Sequence, residues 1–133
     1  MKAIARRVQG YTHEVEVDGH HVITDEPRGA GGNDEGPSPT RLLAASLASC
    51  TATTVEMYAD RKGWELGAIE VEAELVSTER GQPARCMVEV RIPTPLTDEQ
   101  ADRIRVIAGK CPVHRALTGE VEIEDRVELP SAA

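Results

Sequence analysis

The sequence predicts an α+β fold, with antiparallel sheets arranged around one long buried central helix. Three observations carry that expectation. The stretch from Gly36 to Arg61 is apolar over most of a helical circumference, residues 3–24, 69–76 and 84–92 alternate with period two, and Thr97-Asp98-Glu99-Gln100 opens an amphipathic segment. A chain of 133 residues fits one domain, residues 1–133, with a modest core. With no Phe, one Trp and two Tyr, that core is built from Ala, Val, Leu and Ile.

The first element is a set of two or three antiparallel strands over residues 3–24. Glu14-Val15-Glu16-Val17 and His21-Val22-Ile23 flank Asp18-Gly19, a dipeptide suited to a tight hairpin turn. His20 and His21 read as polar residues at an exposed strand end rather than as metal ligands. Residues 25–37 hold four Gly and two Pro in thirteen positions and form a loop that delivers the chain to the long helix. A Gly-rich loop before a helix can cradle an anion, but Asp34 and Glu35 would repel phosphate. The loop is either a plain connection or part of a substrate wall.

Ser38 suits the N-cap of the long helix, its hydroxyl accepting an otherwise unpaired backbone N–H, and Pro39 suits the first helical position. From Leu42 to Val55 the apolar residues cover most of the circumference, with only Ser and Thr between them, as in a helix buried in a core. Asp60-Arg61-Lys62 and then Gly63 end it. Its length, about 35 Å at 1.5 Å per residue, exceeds what one small sheet can cover, so a partner subunit is expected to cover the rest.

Beyond the helix, Ile69, Val71, Ala73 and Leu75 share one face of a half-buried strand, opposite Glu70, Glu72 and Glu74. A turn at Glu79-Arg80-Gly81-Gln82-Pro83 leads into a strand from Ala84 to Ile92, on which Cys86, Val88, Val90 and Ile92 share a face. Cys86 there reads as a small core residue. Thr97 and Gln100 form a capping box for a second helix that ends near Gly109. Pro112 starts a short third helix with Cys111 at its N-cap. Val121, Ile123 and Val127 mark a final strand over 120–129, and Pro130 to Ala133 form a frayed tail.

The net charge of −8 repels phosphate backbones and anionic membrane surfaces, and the basic residues form no stripe. Neither nucleic acid nor membrane is an expected partner. No segment approaches the ~18–20 apolar residues that span a bilayer, and MKAIARRVQG lacks an apolar run, so a cytoplasmic protein is expected. Three cysteines without a secretory signal argue against a disulfide framework and point to catalytic or metal-binding roles.

Thiolate is the reactive form of cysteine. Cys111, at a helix N-terminus, faces unsatisfied N–H groups and the positive end of the dipole, with His114 and Arg115 in the next turn. Cys50 lies far from either helix end among apolar neighbours, which disfavour its charged form. Taken alone, Cys50 reads as a packed thiol or a reactive one, and Cys111 is equally open. The distance in sequence between Cys50 and the Cys111/His114 pair carries no metal-ligand spacing.

Asp25-Glu26-Pro27, Gly31-Gly32, Gly36-Pro37-Ser38-Pro39, the helix LLAASLASCTATTVEMYA at 42–59 and Cys111-Pro112-Val113-His114-Arg115 together resemble the OsmC/Ohr family of hydroperoxide-reducing proteins. The resemblance spans nearly the whole chain in the right order and is closer to the OsmC-like branch than to the organic hydroperoxide resistance proteins. It implies an intertwined homodimer with two active sites at the interface, and thiol peroxidase chemistry with no metal or organic cofactor. Cys50 would attack the peroxide and Cys111 would resolve the product as a disulfide. The substrate would be an organic hydroperoxide, with hydrogen peroxide a second candidate, and the reductant an external dithiol such as a lipoylated protein.

Two departures from the family pattern accompany this resemblance. A Glu in the first turn of the helix is replaced by Thr40 and Arg41, and an Arg in the loop after the first strand by Gly10, Tyr11 and Thr12. In similar proteins those two residues hold the peroxidatic thiolate and the peroxide. Arg28, Arg41 and Arg115 are the candidate substitutes for substrate binding. The departures also leave open a non-catalytic dimer of the same fold that binds a small molecule or a protein.

Overall fold

The computed structural model describes residues 1–76 and 85–131. The expected turn at 79–83 and Ala84 lie outside the described residues. The chain opens with β1 (Ala3–Gln9), β2 (Thr12–Val17) and β3 (His20–Thr24), an antiparallel sheet in the order β1-β2-β3. Asp18 and Gly19 both have positive φ, 46° and 87°, the conformation a two-residue hairpin turn requires. The register sets Val15 opposite Ala5 and Val22, so Ala3, Ala5, Val15, Val17 and Val22 share one face. His20 and His21 are exposed, and His21 Nδ1 lies 2.8 Å from Glu14 on the neighbouring strand.

The loop from 25 to 37 is organised by a carboxylate. Asp25 is 1% exposed. It accepts hydrogen bonds from Thr12 Oγ1 at 2.8 Å, from the N–H of Glu26 at 2.8 Å, and from the N–H groups of Asn33 and Glu35 at 3.3 Å. Gly32 packs so closely on the Glu26 carbonyl that a Cβ there would collide with it. Burial opposes the charge of Asp25, yet the Thr12 hydroxyl and the three amides outweigh it and hold the carboxyl below its ordinary range.

Helix α1 (Pro39–Lys62) starts after Ser38, with Pro39 in its first position as expected. The Ser38 hydroxyl does not cap a backbone N–H, however; it lies 3.3 Å from the Thr40 hydroxyl. At the other end Gly63 adopts φ 70°, its N–H donating to Asp60 O while the N–H of Trp64 donates to Ala59 O, a Schellman closure. Burial within the chain is confined to a stripe of four-residue spacing, Leu47, Thr51, Val55 and Ala59. The expected all-round burial is thus not supplied by this chain: Leu43 and Met57 remain 39% and 59% exposed.

The stripe packs on β4 (Glu70–Leu75), α2 (Asp98–Ala108) and α3 (Pro112–Arg115), and more lightly on β5 (Cys86–Arg91). Strands β4 and β5 form a second antiparallel sheet in which Val71 faces Val90 and Leu75 faces Cys86. On the opposite face Arg91 bridges Glu70, Glu72 and Glu89, offsetting the row of like charges. Val55, Ala59, Leu66 and Ile104 are buried together, flanked by Trp64, Ile69, Ile92, Leu96 and Ala108. Thr97 caps α2 reciprocally with Gln100, as its sequence predicts.

Two further expectations fail. Cys86 is exposed and not a core residue, because α1 lies mainly over β4 and leaves the start of β5 open. The final strand is absent: residues 121–131 have no regular structure, and Val121, Ile123, Val127 and Leu129 are 53% to 80% exposed. Alternation gives that segment a strand pattern, but among the described residues no strand pairs with it. The chain exposes 10370 Å² in all. A compact monomer of its mass would expose roughly 6,800 Å².

Candidate functional site

The sequence Gly109-Lys110-Cys111-Pro112 turns the chain sharply after α2 and sets Cys111 as the N-cap of α3, with Pro112 at the first helical position. A thiol in that position does what a capping hydroxyl does: Cys111 Sγ accepts from the N–H of His114 at 3.2 Å, and the Cys111 carbonyl accepts from the N–H of Arg115 at 3.1 Å. The residue is fully buried. It is pressed against the middle of α1, where Thr51 Oγ1 lies 3.7 Å from its sulfur.

Cys50 is the neighbour of Thr51, one residue and about 100° around the helix from it. It is half-buried, whereas Cys111 has no exposure, and all three cysteines are free thiols. The contact partner of Cys111 on α1 is thus Thr51, with Cys50 beside the contact. Thr51 was missed in the sequence although its spacing from Leu47 and Val55 signals a place on the buried stripe.

Next to this pair lies a cavity of about 250 Å³ between α1, the β4–β5 hairpin and α3. Leu43, Leu47, Leu75, Val88 and Leu117 give it apolar walls, and Cys86 and His114 are its reactive side chains. His114 therefore links the two features, with its backbone N–H on Cys111 and its side chain at the cavity. Arg28 lies in a short 3-10 turn (Arg28–Ala30), Arg41 in the first turn of α1 and Arg115 at the end of α3, all exposed. Among the described residues the cavity wall contains no arginine. Asp25 belongs to the Asp25-Glu26-Pro27 motif of the sequence, but nothing in the sequence signals its burial, since its partners converge from a strand and a loop.

Among the described residues no group of three or more His, Cys, Asp or Glu side chains is arranged to hold a metal ion. No helix of the described residues is long and apolar enough to cross a membrane.

Comparison with known proteins agrees with this architecture. A protein of Psychrobacter arcticus 273-4 whose name refers to osmotic stress and detoxification superposes with a TM-score of 0.77 at 24% identity, covering 87% of each chain. The organic hydroperoxide resistance protein OhrB of Bacillus subtilis superposes with a TM-score of 0.60 at 26% identity, over 91% of this chain and 92% of that one. An uncharacterized protein of Haloferax volcanii is 26% identical over 94 residues, 69% of this chain and 71% of its own length. The model of the OsmC-like protein family matches residues 31–125, from the glycine-rich loop through both Cys50 and Cys111, and the chain belongs to that family.

Proposed function

We propose that this protein is a cysteine-based thiol peroxidase that reduces organic hydroperoxides. The observation that carries this reading is the buried Cys111 thiol, held at a helix N-terminus against the residue next to Cys50. The difference in burial supports a division of labour. Of these two thiols the half-buried Cys50 is the one a peroxide can reach first, and the enclosed Cys111 suits a resolving role.

In the proposed cycle the Cys50 thiolate attacks one peroxide oxygen. The S–O bond forms as the O–O bond breaks, and the alcohol leaves after taking a proton, so that sulfur is oxidised to sulfenic acid and the peroxide reduced. The Cys111 thiolate then attacks the Cys50 sulfur, the S–O bond breaks, and the leaving hydroxide takes a proton to become water, giving a Cys50–Cys111 disulfide. An external dithiol reduces it by exchange, a lipoylated protein being one such reductant. The cavity walled by Leu43, Leu47, Leu75 and Val88 suits the organic part of the peroxide. The name of the Bacillus subtilis protein points to the same substrate class. Arg28, Arg41 and Arg115 are the candidate guanidiniums for the peroxide, and none of the three stands on the wall of the apolar cavity.

The working unit in this reading is an intertwined homodimer. The area exposed beyond that of a compact monomer, the uncovered face of β1–β3 and the unpaired apolar residues of 121–129 all support a second copy as their cover.

A non-catalytic dimer that holds a small apolar ligand is the second reading, favoured by a cavity wall that contains no arginine among the described residues. One experiment separates them. Reduced protein is treated with one equivalent of cumene hydroperoxide and mapped by non-reducing peptide mass spectrometry. Rapid formation of a Cys50–Cys111 disulfide, lost in Cys50→Ser and replaced by Cys50 sulfenic acid in Cys111→Ser, is the expected result. No reaction, or slow oxidation scattered over all three cysteines including the exposed Cys86, would replace the peroxidase reading by the ligand-binding one.

A further inference from the structure

At the far end of α1 from its N-terminal loop, a cavity of about 380 Å³ lies between the last turn of α1 and the first turns of α2. Tyr58, Lys62, Trp64 and Arg103 surround it. The whole chain has one Trp, two Tyr and no Phe, so two of its three large aromatic rings stand at this one place. Tyr58 and Trp64 meet edge to face, with centroids 5.6 Å apart. Trp64 also packs against the core, which fixes its ring.

Two cations converge on the rings. Lys62 Nζ lies 5.7 Å from the centre of the Tyr58 ring, and Arg103 Nε donates to Tyr58 Oη at 3.1 Å. That bond occupies one edge of the guanidinium and leaves its two terminal nitrogens to serve as a fork. Among the described residues neither Lys62 nor Arg103 is in ion-pair contact with a carboxylate, whereas Arg6, Arg91 and Arg105 are. In a chain of net charge −8, with acidic side chains in excess, two such cations beside aromatic faces form a site for an outside anion. Thr97 and Gln100, also on the wall, already satisfy each other in the capping box. Glu99, on the same wall, sets a limit on ligand charge: it disfavours a dianion such as a phosphate monoester and leaves a single carboxylate acceptable.

We propose that this cavity binds a small aromatic monocarboxylate, with the carboxylate on the Arg103 fork beside Lys62 and the ring against Tyr58 and Trp64. This site shares no wall residue with the cysteine cavity, so it stands or falls independently of the peroxidase reading.

Because Trp64 is the only tryptophan, its indole N–H gives one resonance in a ¹H–¹⁵N spectrum of the assembled protein. Benzoate is titrated against it, with cyclohexanecarboxylate and benzyl alcohol as probes lacking the aromatic ring and the charge. The expected result is a saturable shift with benzoate, weakened about fivefold or more in Arg103→Gln and in Lys62→Gln, and weaker or absent saturation with the other two probes. Arg103 and Lys62 are both exposed, so the variants keep the fold, as a melting curve verifies. A shift that does not saturate, or one unchanged in both variants or matched by either of the other probes, would overturn the proposal.

Discussion

Thr51 Oγ1 lies 3.7 Å from Cys111 Sγ, and this contact joins the centre of α1 to the N-cap of α3 across 60 residues of sequence. Both side chains are buried, at 1% and 0% exposure, so the hydroxyl is the only α1 side-chain group recorded in hydrogen-bond contact with that sulfur among the described residues. Replacement of Thr51 by Val keeps the shape and removes the hydroxyl. Stability is expected to change by no more than about 1 kcal/mol, since the sulfur retains the His114 amide. Urea denaturation of the two proteins under reducing conditions measures this, and a loss well beyond that range would show that the hydroxyl holds more of the α1–α3 junction than one contact.

The capping geometry of Cys111 separates two substitutions that a purely redox account treats alike. Ser at this position can still accept from the His114 N–H, whereas Ala cannot. Cys111→Ala is therefore expected to be less stable than Cys111→Ser by about 1 kcal/mol. Urea denaturation of the two variants under reducing conditions tests it. Equal midpoints would mean that the short helix derives nothing from its cap.

These local features were legible because they depend on adjacent residues. Ser38-Pro39 and Gly63 bound α1, Thr97 and Gln100 open α2, and Cys111-Pro112 opens α3, each within four residues of chain. What was not legible depends on distant partners. Asp25 sits in a run of Gly, Pro and acidic residues that reads as solvated loop, and its burial requires Thr12 from β2 together with the amides of Asn33 and Glu35. Cys86 shares an apolar face with Val88 as expected, but the path of α1 over β4 decides how much of that face is covered. Likewise Ser38 has the residue type of a cap while its hydroxyl turns to Thr40.

The Asp25 cluster predicts a specific response to acid. The folded-state pKa is lowered relative to an unfolded value of about 3.9, because Thr12 and three amides bind the charged form more strongly than burial opposes it. Its contribution to stability is thus complete above that unfolded value and disappears as pH falls through the lowered folded value. Asp25→Asn is expected to melt well below the wild type at pH 7, with the gap narrowing below about pH 4. Asp34→Asn, an exposed change in the same loop, is expected to leave melting nearly unchanged. Thermal melts of the three proteins from pH 3 to 7 provide the comparison, and a gap for Asp25→Asn that widens towards acid would contradict the assignment.

The segment after α3 poses a different physical problem, since Val121, Ile123, Val127 and Leu129 are exposed at 53%, 78%, 78% and 80% without a strand partner among the described residues of their own chain. Each apolar side chain of this size gains roughly 1.5–3 kcal/mol on burial, so a second copy that covers them has a substantial driving force. Charge at these positions would act against association and leave the intrachain core of Val55, Ala59, Leu66 and Ile104 untouched. The double substitution Ile123→Glu and Val127→Glu is therefore expected to shift the protein from dimer to monomer in sedimentation equilibrium, while Glu122→Gln, a polar change in the same segment, leaves the dimer intact. A wild type that sediments as a monomer would remove the basis for placing a second copy over this face. A dimer undisturbed by the double substitution would move the interface to the exposed flank of α1 or the face of β1–β3, where Val15→Glu is the corresponding probe.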